Sequence, residues 1–543
     1  MHRLVPVIIA IFHSYSLLAV TRGDQVYVHF DKDIYTAGDV IQYKAYLLNG
    51  GDKRNDILYF TLSAIGRPDV MNWRTNIRDN MAAGFLRLPT DLPEGIYEVM
   101  AYTHGMLNRE VTFRHRILIL NLSKTTPDSM LLTGPIFSRN SDQLPVNRIS
   151  LKVPDRVMPC QKINLQIDND SDDSVYLSVT VIKETLFTSV LDNNPKVQLN
   201  HPHGISDNEC ALLNESAGYT FSGTVSVNDI PLTGVKLLLA VQDSVSPVII
   251  YSRSDSNGHF CFILNKFYDN KNLYVGIADT LVEHKINWSI DKKAANNALN
   301  GEMTVLDDKL KNELTQLHNL RLIDNVYFKS SDTVINHSIQ RPVGFYFNPD
   351  NSVRLSDYVE LFNFNEIDDN ILPLVQFSVQ GDKYRLLVFN YFLNIWSDDV
   401  LILLNGVPFS DLKYISLLGT KQIKKIDTYS SGIIIGGVSY DGALCIYTFD
   451  NNIPDPDILV FSNKVAPRGY VRRIENNISG RLPDFRDNLL FEPEVHIGGR
   501  NSNSVSFSAS LLEGNYRVSV RGVNSKGDFV SIDKNVLIGT VNE

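Results

Sequence analysis

Two residue patterns in this sequence are of types that could carry chemistry, and neither is complete. The S-x-x-K pattern of serine acylases begins at Ser289, Ser410 and Ser531, but the K-T-G element that belongs to the same set is absent. His201 and His203 flank a proline, and the acidic residues near them stand at no spacing known for metal ligands. The sequence therefore predicts no serine nucleophile, and it favours a polar loop at residues 201–203.

The acidic and sulfur-containing side chains also form no recognisable site. Residues 169–174, NDSDDS, are acidic enough for calcium but lack the ligand spacing and the glycine of a calcium loop, which favours a solvated turn. The four cysteines form no C-x-x-C pair. Cys160 and Cys210 could be bridged in an oxidising compartment, whereas Cys261 and Cys445 lie in apolar runs and are predicted to be buried thiols. We therefore expect no cofactor and no metal.

Composition excludes some classes of function. The chain has 543 residues and a net charge of −10, and hydrophobic residues make up 43% of it. This length predicts several folded domains, and the negative charge argues against nucleic-acid binding, which needs a basic footprint. Residues 1–23 have a positive start, an apolar run interrupted by a polar break, and small residues before Asp24, as in a signal peptide. No later stretch is apolar for long enough to span a membrane, so we expect an exported protein without a transmembrane segment.

The elements that would position these residues are mostly strands. Apolar residues alternate with polar ones over most of residues 24–290 and again from residue 504, which is the period of a half-buried strand. Five leucines, from Leu306 to Leu320, recur instead at steps of three and four, which predicts a helix with Thr304 and Asp307 near its start. A second helix is predicted at residues 365–372, followed by strands at 374–379, 384–389 and 400–404. The fold class is therefore mainly β: a string of immunoglobulin-like or macroglobulin-like β-sandwiches with one α+β unit.

The stretch VYVHFDKDIYTAGDVIQYKAYL, residues 26–47, resembles the first strands of a macroglobulin-type domain. Asp31, Lys32, Tyr35 and Gly38 match the "DK-P-x-Y-x-P-G" element of that family, whereas Asp33 and Ala37 stand where the pattern has proline. The glycine allows a tight return between two strands. Losing the prolines is expected to loosen this return by up to about 1 kcal/mol.

Two further stretches resemble known modules. FSGTVSVNDIPLTGVKLLL followed by SRSDSNGHFCF resembles a carboxypeptidase-regulatory-like domain, with matches that include Gly223, Pro231, Gly234 and Gly258. Residues 398–448 resemble the plug of TonB-dependent outer-membrane receptors, with "NGVP" at residues 405–408 in place of the usual "DGVP". The first resemblance implies a small structural sandwich, and the second implies an α+β unit that lacks its usual barrel.

Together these resemblances predict the following units: a signal peptide at 1–23, a macroglobulin-type sandwich at 24–122, a linker at 123–146, a second sandwich-like unit at 147–217, the regulatory-like sandwich at 218–290, the plug-like unit at 296–452 and a C-terminal sandwich at 453–543. This order is similar to that of exported envelope proteins of Bacteroidetes. The covalent trap of macroglobulins needs a glutamine three residues after the thioester cysteine, and none of the four cysteines has one.

These observations predict a non-enzymatic exported protein of the cell envelope, in the periplasm, at the outer membrane or on the cell surface, whose partners are other envelope or outer-membrane proteins. Two alternatives remain open: a non-covalent protease-binding macroglobulin-like protein, with residues 192–217 as its exposed segment, and an enzyme without a recognisable motif. The candidate docking element is the loop that carries Ile433, Ile434 and Ile435. Three consecutive isoleucines cannot all face one side of a strand, so at least one should point away from the local core. The competing interpretation buries all three between the plug-like sheet and a neighbouring sandwich.

Overall fold

The structure, a computed structural model, confirms a mainly β protein built as a string of β-sandwiches. Several predicted elements, including the signal peptide, the His201–Pro202–His203 loop and Cys210, lie outside the described residues. The structure describes residues 25–48, 57–64, 67–107, 112–123, 129–132, 148–191, 193, 215, 218–241, 248–264, 272–277, 286–290, 302–327, 332–336, 348–435, 438–454, 459–462, 469–473 and 484–540.

The first sandwich has one sheet of three strands and one of five, and their apolar faces form its core. The smaller sheet has the order Gln25–Phe30, Val40–Leu48 and Met81–Arg87. The larger sheet has the order Ile34–Thr36, Phe113–Leu120, Gly95–Tyr102, Ile57–Ala64 and Arg67–Asn76, and the short helix His104–Leu107 follows its central strand. Large aromatic side chains such as Tyr35, Tyr43 and Phe60 are fully buried between the sheets.

The second sandwich is assembled from two parts of the chain that are about 300 residues apart in sequence, and we call it the composite sandwich. Its smaller sheet has the order Ile149–Lys152, Lys162–Asn169 and Ser502–Ser508. Its larger sheet has the order Arg156–Val157, Phe529–Ile538, Gly514–Asn524, Val175–Lys183 and Asn488–Ile497. This pairing corrects the prediction of separate units at 147–217 and 453–543, because the strands of each segment complete the sheets of the other.

The third sandwich also takes a strand from far along the chain. One sheet joins Ile230–Pro231, Tyr219–Val227 and His259–Leu264, with Ile286–Ile290 also paired to Tyr219–Val227. The other has the order Val248–Arg253, Lys236–Val241, Asn272–Ile277 and Leu459–Ser462. The regulatory-like sandwich predicted at 218–290 is therefore completed by a strand beyond residue 450, and the α+β unit is inserted within it.

The α+β unit spans residues 351–448. Its main sheet has the order Asn351–Arg354, Ile423–Tyr429, Gly442–Thr448, Val400–Leu404 and Val407–Pro408. A smaller sheet has the order Val375–Gln380, Lys383–Asn390 and Ile395–Ser397, and Ile433–Ile435 forms a hairpin with Val438–Tyr440. The helices are Phe364–Ile371 and Leu412–Ser416, with the 3-10 turn Leu355–Asp357. The helix predicted at 365–372 is confirmed, and so are the strands predicted at 374–379, 384–389 and 400–404.

The leucine-rich helix forms as predicted, at Asp308–Tyr327, but it packs elsewhere. The Asp307 carboxylate accepts a hydrogen bond of 2.8 Å from the Leu310 amide, which caps the helix start. Leu314 and Leu317 are buried with Ile34 and Leu118 of the first sandwich. The sequence predicts this helix as part of the plug-like unit at 296–452, and this placement is wrong. The leucine face of the helix covers the first sandwich, together with the helix Leu186–Leu191.

Two strand pairs, each formed by segments far apart in the chain, lie outside the sandwiches and the α+β unit among the described residues. Ser129–Leu132 pairs with Glu302–Val305, and Asp332–Asn336 pairs with Gly469–Arg473. The third sandwich closes in the same way through its Leu459–Ser462 strand. These strand pairs thus connect later segments of the chain to strands that precede them in sequence.

The first and composite sandwiches each contain the same corner motif at the start of a central strand. In each, Glu-Gly-x-Tyr opens the strand, and the tyrosine hydroxyl donates to the carbonyl four residues upstream. Tyr97 reaches the Pro93 carbonyl at 2.8 Å, and Tyr516 reaches the Leu512 carbonyl at 3.0 Å. This is the tyrosine corner of Greek-key sandwiches. Its presence in both units indicates that they have the same kind of fold.

Candidate functional site

The Asp31–Asp39 connection, which carries the macroglobulin-type resemblance, is held by its own side chains. The Asp31 carboxylate accepts hydrogen bonds from the Tyr35 hydroxyl at 2.7 Å and the Gln42 amide at 2.9 Å. Lys32 and Asp39 form an ion pair of 2.8 Å. Gly38 has a φ of +90°, a conformation that other residues adopt only with strain. The residues that match the family element therefore build a strand connection, and their role is structural.

Asp33, which stands where the family pattern has proline, connects parts of the chain that are far apart. Its carboxylate lies 3.0 Å from the His115 ring, 3.1 Å from the Asn193 amide and 3.5 Å from Arg517 of the composite sandwich. Burial raises the pKa of Asp33, but the hydrogen bond and charge of His115 and the charge of Arg517 outweigh burial and lower it overall. The acid thus supplies contacts between units that a proline could not make.

A buried serine–histidine pair lies between the first and composite sandwiches, and no sequence motif indicated it. His29 Nδ1 is 2.7 Å from Ser178 Oγ, and His29 Nε2 is 3.1 Å from Thr180 Oγ1. Burial lowers the pKa of His29 well below its ordinary value, with the charge of Arg521 acting in the same direction. Ser178 is fully buried and also accepts from the Tyr46 hydroxyl. The pair therefore lies within an interface, where a substrate has no access to the serine.

Beside this interface, the composite sandwich contains an ion pair in which Arg521 is buried and Asp533 is partly exposed. Arg521 donates to the Asp533 carboxylate at 2.7 and 2.8 Å and to the Tyr27 hydroxyl at 3.3 Å. Its other nitrogen donates to the carbonyls of Val520 and Ile532. These bonds fix the guanidinium within the composite sandwich, and its hydrogen bond to the Tyr27 hydroxyl connects it to the first sandwich.

A second polar cluster connects the first sandwich to the third. The buried Glu215 carboxylate accepts from the Tyr59 hydroxyl at 2.7 Å and from the amide and hydroxyl of Thr220, both at 2.8 Å. The guanidinium of Arg74 lies 3.7 Å from the centre of the Tyr219 ring. The three sandwiches are therefore joined by specific polar contacts as well as by apolar packing.

Three of the four carboxylates in the acidic turn at residues 168–173 are paired with cationic side chains. Asp168 contacts Lys152 at 2.8 Å, Asp172 contacts Arg500 at 2.7 Å, and Asp173 contacts Lys526 at 2.6 Å. These pairs favour the predicted solvated turn over a calcium loop. Across the described parts of the chain, no group of three or more His, Cys, Asp or Glu side chains is placed to hold a metal ion.

The remaining reactive side chains are also separated. Ser531 is buried on the strand Phe529–Ile538, and Lys534, three positions further on, faces the other side of the sheet and donates to the Val153 carbonyl. Cys445 is fully buried, as predicted, and burial raises the pKa of its thiol. Cys261 is only partly buried, and Cys160 is exposed. The S-x-x-K pattern at Ser531 thus does not bring its two side chains together.

Exposed apolar side chains are concentrated on the α+β unit, at the two ends of its main sheet. We call one group the Phe392 tip, and it consists of Tyr391, Phe392, Leu393, Ile395, Trp396 and Ile434. We call the other the Phe362 surface, and it consists of Tyr358, Val359, Phe362, Leu417 and Phe449. The strand register places the two groups at opposite ends of the sheet. Val400 and Tyr429, beside the Phe392 tip, pair with Gly442 and Ala443, whereas Ile423 pairs with Thr448, next to Phe449 of the Phe362 surface.

The predicted docking loop is divided between core and solvent. Ile433 and Ile435 are buried with Leu238 and Tyr274 of the third sandwich, in the apolar cluster that joins this sandwich to the α+β unit. Ile434 is 69% exposed. The expectation that at least one isoleucine points away from the core is therefore confirmed, and the burial of all three is excluded. A docking role for the loop stays a prediction, and only Ile434 is accessible for it.

The Phe362 surface is a cluster of apolar side chains beside charged ones. Leu361 and Thr420 exchange backbone and side-chain hydrogen bonds of 3.0 Å, which sets the segment before Phe362 beside the segment after Leu417. Phe362 is 72% exposed, and its amide donates to Glu366. Glu360 and Lys421 form an exposed ion pair of 2.6 Å next to it. An apolar centre with a charged rim is the usual composition of a protein-binding surface.

The comparisons with known proteins give similarity in structure alone. No family model matches the sequence, and no curated protein matches it. Salmonella alpha-2-macroglobulin reacted with methylamine is 7% identical over 95% of this chain and 39% of that chain, with a TM-score of 0.24. Native Escherichia coli alpha-2-macroglobulin is 8% identical over 95% and 40%, also with a TM-score of 0.24. A tetra-tandem repeat from the extending region of a large adhesion protein is 10% identical over 95% and 100%, with a TM-score of 0.15.

Similarity at this level does not establish a family for the chain, which spans about two fifths of the length of these macroglobulins. The class that the structure does define is a mainly β protein of interlocked sandwiches carrying one α+β unit. Among the helices of the described residues, none combines the length and hydrophobicity needed to cross a membrane.

Proposed function

We propose that this chain is an exported, non-enzymatic protein of the cell envelope whose α+β unit binds another envelope protein. The observation that supports this most is the Phe362 surface. Val359, Phe362 and Leu417 each expose more than two thirds of their side chains. Monomeric proteins rarely expose grouped apolar side chains of this size unless a partner covers them.

The arrangement of the other units fits a scaffold. The hydrogen bonds from Arg521 to Tyr27 and from Tyr59 and Thr220 to Glu215 join the three sandwiches, and the apolar cluster around Tyr274 and Cys445 joins the third sandwich to the α+β unit. A surface held in this way loses little conformational freedom on binding, which favours affinity. The non-enzymatic part of the proposal is supported by the burial of Ser178 and Ser531. Ser410 is exposed, and the K-T-G element that its S-x-x-K pattern would need is absent from the sequence.

The test uses the full mature chain, purified with an affinity tag and mixed with detergent-solubilised envelope. The partner that it captures is identified, purified and tagged in turn, and its dissociation constant is measured. Phe362→Asp should weaken this binding at least about tenfold, since removing a central aromatic anchor commonly costs 2 kcal/mol or more. Phe392→Asp is the matched control, because Phe392 is even more exposed but lies at the opposite end of the unit.

The proposal requires that the two variants differ. If Phe362→Asp and Phe392→Asp bind the purified partner equally well, the Phe362 surface is not the binding site. If the wild-type chain captures nothing that survives the reciprocal experiment, the protein-binding function itself is wrong.

A further inference from the structure

The Phe392 tip has properties that the Phe362 surface lacks, and the first is that the segments carrying its apolar side chains contain no charged residue. Residues 390–397, NYFLNIWS, and residues 429–440, YSSGIIIGGVSY, contain no Asp, Glu, Lys, Arg or His. The two segments lie side by side, because the Tyr391 amide donates to the Ser430 carbonyl at 3.0 Å. Carboxylates flank the two segments, since Asp441 accepts from Ser397 Oγ and Asp350 accepts from the Ser430 amide, both at 2.6 Å. The exposed apolar side chains of the tip nevertheless all stand on segments that carry no charged residue.

The second property is the order of side chains along the turn. Phe392 and Leu393 occupy the turn between the strands Lys383–Asn390 and Ile395–Ser397, and Phe392 is 81% exposed. Tyr391 and Trp396 stand on either side of them, also exposed. Tyrosine and tryptophan are the residues that favour the boundary between lipid and water, whereas phenylalanine and leucine favour the apolar side of that boundary.

The third property is that the backbone amides at the apex of the turn are hydrogen-bonded within the protein. Asn390 Oδ1 accepts from the amides of Phe392 and Leu393, both at 2.9 Å. Asn390 Nδ2 in turn donates to the Asp441 carbonyl at 2.6 Å, which fixes the asparagine that holds the turn. Backbone groups that enter a lipid environment must be hydrogen-bonded within the protein, since lipid tails offer no partners. Such a turn can therefore enter a bilayer surface without leaving these amides unpaired.

We propose that the Phe392 tip is a lipid-binding element that inserts into the interfacial region of an uncharged lipid surface. Phe392 and Leu393 enter first, and Tyr391 and Trp396 remain at the level of the headgroups. Ile434 supplies a second apolar contact on the neighbouring hairpin. The absence of charge on the two segments matches zwitterionic headgroups and predicts binding that salt does not weaken. This site is separate from the proposed protein-binding surface and does not depend on it.

The test is flotation of the full mature chain with phosphatidylcholine vesicles in a density gradient. The wild-type protein should float with the vesicles, and the bound fraction should be the same at low salt and at about 0.5 M NaCl, where charge attraction is screened. Phe392→Asp should reduce the partition coefficient at least about tenfold, because it removes one buried aromatic side chain and adds a charge. Leu393→Asp provides a second variant, and Phe362→Asp should float like the wild type.

Contact at the tip itself is measured with vesicles of brominated phosphatidylcholine, which quench nearby tryptophan. The chain has three tryptophans, and the variant Trp396→Phe should lose most of the quenching. The proposal fails if the wild-type chain does not float, if Phe362→Asp lowers flotation as much as Phe392→Asp, or if binding needs anionic lipid and disappears in salt. Capture of a protein partner that Phe392→Asp abolishes, without any vesicle binding, would likewise assign the tip to a protein.

Discussion

The Asp31 carboxylate predicts an unusual dependence of stability on pH. It is almost fully buried in the first sandwich, and burial raises its pKa from 3.8 to about 6, against the opposing effect of Lys32. The native state therefore binds this proton more tightly than the unfolded state does. Stability contributed by the protonated form is fully present below about pH 4 and decreases as the pH rises towards 6. At neutral pH, ionisation of Asp31 should cost about 3 kcal/mol.

Asp31→Asn tests this magnitude. The asparagine oxygen can still accept from the Tyr35 hydroxyl and the Gln42 amide, but it carries no charge. We expect the variant to melt at a higher temperature than the wild type at pH 7.5, by an amount corresponding to at most about 3 kcal/mol. The difference should approach zero near pH 4. Differential scanning calorimetry of both proteins across this range measures it, because other titrating groups contribute equally to both.

Asp33→Asn is the matched control, since the pKa of Asp33 is lowered rather than raised. The stability that ionised Asp33 contributes is present above its unfolded pKa of 3.8 and is lost as the pH falls below that value. This variant should therefore be less stable than the wild type at pH 7.5. If Asp31→Asn is also less stable at pH 7.5, by the same amount at every pH, the carboxylate is needed as a strong acceptor and the argument from buried charge is refuted.

Three further predictions concern the interfaces and the mature N-terminus. Ile435→Asp should lower the free energy of unfolding by several kcal/mol, because Ile435 is only 1% exposed. Ile434→Asp should change it by less than about 0.5 kcal/mol, because Ile434 lies at the surface. Equal losses of stability in thermal melting would contradict this packing. Arg521→Met should cost about 2 kcal/mol, because it removes the charge-assisted hydrogen bonds of a buried guanidinium to the partly exposed Asp533 carboxylate and to the Tyr27 hydroxyl, and a melting curve like that of the wild type would show that these bonds contribute little. N-terminal sequencing of the envelope-fraction protein should begin within residues 22–26, and an intact Met1 in the cytosol would exclude the predicted export.

Local sequence patterns predicted elements well and their partners poorly. The alternation around residues 26–47 predicted two strands and a tight connection, and Gly38 lies at the turn as expected. The leucine spacing predicted the helix Asp308–Tyr327 together with its Asp307 cap. These features depend on neighbours within a few residues. No local pattern indicates that Lys162–Asn169 pairs with Ser502–Ser508, because strand pairing over such a separation depends on the whole fold.

The candidate sites show the same limit. The Ile433–Ile435 run indicated one exposed side chain, but the sequence alone did not identify Ile434 as that side chain, since the burial of its neighbours depends on the third sandwich. The Phe392 tip was missed, although NYFLNIWS contains a signal. Its five large apolar residues lack strand alternation and stand beside two asparagines, which favours a turn with exposed apolar side chains. The His29–Ser178 pair has no sequence signal, because its partners lie on different sandwiches.

The replacement of proline by Asp33 shows how the nesting of the units changes the importance of a single residue. Within the first sandwich alone, a proline would stiffen the connection, and its loss would cost up to about 1 kcal/mol. In this chain the composite sandwich is closed by a segment that begins only at Asn488, and Arg517 of that segment contacts Asp33. This contact can form only when the C-terminal strands have paired with the strands that precede the inserted units. Asp33 therefore stands in place of a residue that would stiffen the connection locally, and its contact with Arg517 stabilises the closed arrangement. The same reasoning applies to the hydrogen bond between Arg521 and Tyr27, which also joins the C-terminal segment to the first sandwich. The polar contacts between sandwiches hold the ends of the insertions together. The α+β unit is therefore attached to sandwiches that are complete only when the strands that follow it in the chain have paired.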